Sequence, residues 1–114
     1  MAERGALILN EVLPKELRAA LDKDAEAQDV TLNDVAGAIL AEHFGLTWEY
    51  SGKRYQPRAE QFKLRVPETL HLKIRIEAAL DPRTVVRGIA VSLLASHYGL
   101  AAISPTRRPR SVPS

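Results

Sequence analysis

The chain carries one short passage twice. Glu42-His43-Phe44-Gly45-Leu46 returns as Ser96-His97-Tyr98-Gly99-Leu100, and each copy closes a helical run of apolar residues. Ahead of each run stands a hydrophobic residue followed by proline, Leu13-Pro14 and Val66-Pro67. The prolines lie 53 positions apart and the glycines 54, so the register slips once, in a turn between them. A repeat of this length, carrying one strand and two helices, points to two copies of one supersecondary unit. Such a unit cannot bury its own apolar face, and the second copy supplies the missing half of a core.

The local signals agree with that division. In the first unit, residues 6–13 read as a short, imperfect strand and Pro14 opens a helix, where its locked φ and missing N–H are tolerated. That helix is predicted over Lys15 to Ala27, with Leu17, Leu21 and Ala25 at four-residue spacing. Thr31 or Asn33 then caps a second helix that turns Val35, Ala36, Ile39, Leu40 and Phe44 inward. Gly45 ends it as a left-handed residue, with Leu46 placed for the contact of a Schellman motif.

The second unit is cleaner. Gln61 to Val66 alternate strictly, with Phe62, Leu64 and Val66 on one face and Gln61, Lys63 and Arg65 on the other. A helix is predicted over Glu68 to Leu80, broken at Asp81-Pro82 because the residue before proline avoids the helical region. Thr84 is the expected cap of the last helix, whose inward set is Ile89, Ala90, Leu93, Leu94 and Tyr98. The organisation is therefore a first unit at 6–46, a linker at 47–60 holding Trp48, Tyr50 and Tyr55, a second unit at 61–100, and a basic tail at 101–114 expected to be disordered.

Strand, helix and helix in about 40 residues, with proline closing the strand, resembles the ribbon-helix-helix family of Arc and MetJ type. Gln61-Phe62-Lys63-Leu64-Arg65-Val66-Pro67 is the closest part, similar to the family's DNA-reading strand. The likeness covers residues 6–46 and 61–100. In that family two protomers pair their strands into an antiparallel ribbon above four intertwined helices. The resemblance implies a tandem ribbon-helix-helix pseudo-dimer within one chain, mainly α with a short two-stranded antiparallel ribbon. It also implies double-stranded DNA as partner and a repressor-like transcriptional regulator of bacterial or phage type.

The physics runs parallel to the likeness. A two-stranded ribbon is marginal alone, and helices packed on one face stabilise it. The other face is then free to enter the major groove, which admits such a ribbon. There Gln61 can bond adenine bidentately, and Lys63 and Arg65 can bond guanine O6 and N7.

The first strand departs from this pattern. The 53-residue offset aligns Leu9 to Leu13 with Phe62 to Val66, making Ile8, Asn10 and Val12 the groove-facing set, with Glu11 pointing inward. An inward Glu needs a partner or a locally irregular strand. Asn10 is the expected adenine reader of this strand, and binding is expected to be asymmetric. The alternative is a homodimer in which the second strands of two chains meet.

In the family, the N-termini of the second helices clamp phosphates, which the helix dipole favours. The matching residues are Thr31 and Asn33 in the first unit and Arg83, Thr84, Val85 and Arg87 in the second. Capping accounts for the two threonines equally well. Lys53, Arg54, Arg58, Arg107, Arg108 and Arg110 are candidate auxiliary phosphate contacts. Charge is divided in keeping with this. Residues 1–46 hold four Lys/Arg against nine Asp/Glu, while residues 47–114 hold twelve against five. A basic half suggests a polyanion, and the acidic cluster Asp22, Asp24, Glu26 and Asp29 reads as a solvated helix end.

Other classes find little support. The absence of cysteine removes disulfides, thiolate nucleophiles and cysteine-ligated zinc. His43 and His97 recur in the last turn of a helix, where partial positive charge complements the dipole, and His71 has no ligand-like company. No metal, cofactor or catalytic constellation is expected. With no long apolar run and no signal-like start, a cytoplasmic, nucleoid-associated protein without membrane contact is the expectation. The competing functional class is an antitoxin-like or adaptor protein holding a toxin-like or regulatory protein partner through the acidic first unit or the linker aromatics. The near absence of apolar anchors in the tail, with only Val112 after Ile103, counts against it.

Overall fold

Alternation, proline and glycine place the elements close to where the sequence predicts them. The computed structural model describes residues 5–56, 61–81 and 85–100. In chain order it contains β1 (Ala6–Val12), α1 (Lys15–Gln28), α2 (Leu32–His43), β2 (Gln61–Val66), α3 (Glu68–Ala79) and α4 (Val86–His97). The described residues are mostly helical, and their one sheet is β1 antiparallel to β2.

Both units contribute to a single apolar cluster. Leu9, Leu17, Leu21 and Leu40 from the first half meet Leu64, Leu70, Ile74 and Leu94 from the second. Each is almost completely removed from solvent, and burying such a side chain stabilises by roughly 1.5–3 kcal/mol. The halves cross over: α2 packs on β2, α4 packs on β1, and α2 and α4 pack on each other. Each strand is thus supported by a helix from the other half.

Helix ends follow the repeat. Leu46 N–H bonds Ala41 O at 2.8 Å and Gly45 N–H bonds Glu42 O at 3.1 Å, the two bonds of a Schellman motif. The same pair closes α4, from Leu100 to Ala95 at 2.8 Å and from Gly99 to Ser96 at 3.0 Å. The glycines sit at φ 73° and 74°, a conformation costly for residues with a Cβ. His43 and His97 occupy the last turns as expected, each ring edge-on to Phe44 or Tyr98 with centroids 4.8 Å apart.

Three expectations require correction. Ile8 is buried, not groove-facing, because β1 bulges between Leu7 and Leu9. The extra residue lets consecutive Ile8 and Leu9 both face the core. The cap of α4 is Val85, with no side-chain cap bond, rather than Thr84. Finally, the acidic cluster is engaged. Asp22 accepts from Arg18 Nε at 3.0 Å and from the Tyr55 hydroxyl at 3.2 Å, and Asp29 accepts from Arg54 Nε at 2.8 Å. Asp24 accepts from the Tyr98 hydroxyl at 2.6 Å, tying α1 to the end of α4. Arg58, Arg83, Thr84, Arg107, Arg108, Arg110 and the tail at 101–114 lie outside the described residues.

Candidate nucleic-acid interface

The outward face of the ribbon collects six side chains. Gln61, Lys63 and Arg65 are exposed on β2 while Phe62, Leu64 and Val66 are buried. Opposite them β1 exposes Val12, Asn10 and Leu7, paired in register with Gln61, Lys63 and Arg65. The bulge at Ile8 is what brings Leu7 onto the same face as Asn10. Gln61 Nε2 donates to Asn10 Oδ1 at 2.7 Å, so the two amide side chains orient each other. Two of its six side chains are cationic, four are neutral, and none is acidic.

Glu11 turns away from that face, and the strand supplies both of the devices an inward Glu needs. β1 is irregular, and Arg87 Nε of α4 stands 3.6 Å from Glu11 Oε1. At that separation the pair is a charge contact rather than a hydrogen bond. Arg87 remains two-thirds exposed, so its charge is partly offset by Glu11 yet open to a ligand at the start of α4.

The start of α2 is built differently. Thr31 Oγ1 accepts from Asp34 N–H and donates to Asp34 Oδ2, both at 3.1 Å, which satisfies one of the orphan donors of the first turn. Asn33 reaches the open edge of β2. Its Nδ2 donates to Arg65 O at 3.0 Å and its Oδ1 accepts from Arg65 N–H at 2.7 Å. This amide clip imitates a neighbouring strand and satisfies an edge that would otherwise be unpaired. With both side chains engaged, a phosphate at this end would meet backbone N–H groups and nearby Lys53.

Asp34 is the buried polar group that organises this corner, and sequence reasoning missed it. It is 1% exposed. Besides Thr31, it accepts from Trp48 Nε1 at 3.1 Å, Ser51 N–H at 3.0 Å and Ser51 Oγ at 2.8 Å. A buried carboxylate is tolerable only when so satisfied. The linker is thereby strapped across the first unit, and Gly37 leaves the space that the Trp48 indole fills. Between this strap, α2 and the edge of β2 runs a groove of about 580 Å³. Arg18, Lys53, Lys63 and Arg65 line its charged side. Arg54, a second linker cation, is held by Asp29.

Among the described residues no group of His, Asp and Glu is placed to hold a metal ion, and no helix is long and apolar enough to cross a membrane. Comparison with family models, with curated proteins and with solved structures returns no match for this chain.

Proposed function

We propose that this chain is a sequence-preferring DNA-binding protein, repressor-like in action, whose two halves form a tandem ribbon-helix-helix pseudo-dimer. One observation carries the reading: an antiparallel ribbon with its apolar face on the helices and Gln61, Lys63, Arg65 and Asn10 on its open face. A ribbon of this kind fits the major groove. Lys63 and Arg65 read guanine, Gln61 and Asn10 read adenine, and Leu7 and Val12 offer apolar contact to thymine methyl groups. Val85 and Arg87 at the start of α4, with Lys53 beside the start of α2, supply phosphate contacts that set register without reading sequence. The protein acts by binding and not as an enzyme, and the cytoplasmic nucleoid is where such a protein works.

Duplex affinity measured against salt tests this. A linear fall of log K with log salt is expected, with a slope of about 0.9 per phosphate contact. Lys63→Ala/Arg65→Ala should weaken preference among duplexes, removing the half of the motif read by β2. Salt-insensitive or undetectable duplex binding would overturn the reading.

A further inference from the structure

Helix α3 buries Leu70, Ile74 and Ala78, yet its opposite side carries a second apolar row. Leu72, Ile76 and Leu80 are 51%, 53% and 76% exposed. Four-residue spacing aligns them as one ridge, the kind that packs into the groove of a facing helix. Leu80 prolongs the ridge because its backbone keeps the right-handed helical conformation. The fold of the unit does not require this row. At the 53-residue offset α1 carries Ala19, Lys23 and Ala27, all exposed. The same helix in the same chain therefore does without large apolar residues there. A contiguous exposed apolar row on one copy of a repeated element marks an interaction surface.

We propose that α3 docks on α3 of a second copy of this chain, antiparallel, about a two-fold axis near Ile76. Charge supports that occupant. Lys73 and Glu77 are exposed along one flank of the ridge, and antiparallel pairing sets Lys73 of each copy beside Glu77 of the other. Ile76 meets its own copy, and each Leu72 faces the other copy's Leu80, as a self-complementary two-fold contact demands. Opposed helix directions also oppose the helix dipoles. One helix face is small for an interface, so association belongs in the micromolar range. The row shares no residue with the ribbon face, so the proposal is independent of what the ribbon binds.

Sedimentation equilibrium of the full chain, without DNA, tests the surface. A mass rising from one copy to two with concentration is expected. Ile76→Glu should raise the dissociation constant at least about tenfold while helix content by circular dichroism is unchanged. Lys73→Glu should weaken association, and Glu77→Lys added to it should restore it. Because the chain has no cysteine, single cysteines report the geometry. Ile76→Cys should oxidise to a dimer. Leu72→Cys should not, its two copies being about 12 Å apart along the axis. A one-copy mass at every concentration, unaltered association of Ile76→Glu, or cross-linking of Leu72→Cys in preference to Ile76→Cys would overturn the proposal. So would deletion of residues 101–114 removing hydrogen-exchange protection from the row in a one-copy chain, which would make the tail the occupant.

Discussion

The Trp48 indole N–H donates to Oδ1 of Asp34 at 3.1 Å, joining the linker to the first turn of α2 from fourteen positions away. Asp34 accepts from Ser51 as well, through Oδ1 and Oδ2. One carboxylate thus holds the hydroxyl of the Thr31 cap, anchors the segment between the two halves and shapes the wall of the groove beside β2.

Asp34→Ala should cost about 2–4 kcal/mol, because it strands the Trp48 and Ser51 donors and removes the partner of Thr31. Denaturant titration followed by fluorescence checks this, with Trp48 as the sole tryptophan. Gly37→Ala is expected to cost about 1–3 kcal/mol by overpacking and to red-shift the emission as the indole is displaced toward water. An unshifted spectrum would show that the strap does not rest on Gly37.

Asn33→Ala should lower stability by about 1–2 kcal/mol, since the backbone N–H and C=O of Arg65 lose their shared partner. Asn33→Asp should fall between alanine and wild type, keeping the acceptor for the N–H but losing the donor to the C=O. Thermal unfolding at neutral pH distinguishes the three.

Tyr98 gives the fold a limit at high pH. Burial first, and then its hydrogen bond to Asp24, push its hydroxyl well above the ordinary value of 10.0. A group raised in the folded state contributes stability that is complete below its unfolded value and is lost as pH rises through the folded one. Wild type should therefore lose stability above about pH 10 more steeply than Tyr98→Phe. At pH 7 the variant should be weaker by about 1 kcal/mol. Parallel slopes above pH 10 would contradict the assignment.

Glu11 restrains Arg87 at the start of α4, where the proposed function puts a phosphate contact. Glu11→Gln should raise duplex affinity and steepen its salt dependence, because a positive charge is released. Arg87→Ala should weaken binding to every sequence alike, as a phosphate contact does. Fluorescence anisotropy on two unrelated duplexes measures both, and a change in sequence preference would contradict the phosphate role.

Much of the fold is legible in the residues because it rests on local physics. The β2 alternation, the two prolines and the two closing glycines each act within a few positions. Glu11 is informative for the same reason: an acidic residue due to point inward predicts irregularity or a partner, and β1 has both. What escapes is long-range. Asp34 reads as an ordinary first-turn acid until Trp48 and Ser51 close over it. Gly37 shows its purpose only against the indole. The bulge at Ile8 depends on β2, and Asn33 reads as a helix cap until the edge of β2 lies beside it. Of the ribbon face, Gln61, Lys63, Arg65 and Asn10 fall where period two and the repeat place them, and Leu7 joins them through the bulge alone.

Selection of bound duplexes from a random pool, carried out with Ile76→Glu so that one chain is read at a time, tests the DNA-binding account most directly. β1 offers Leu7, Asn10 and Val12 where β2 offers Arg65, Lys63 and Gln61. The enriched motif should accordingly have two unlike halves, and Lys63→Ala/Arg65→Ala should erase the stronger one. Failure to enrich any motif, or a motif with two identical halves, would contradict it.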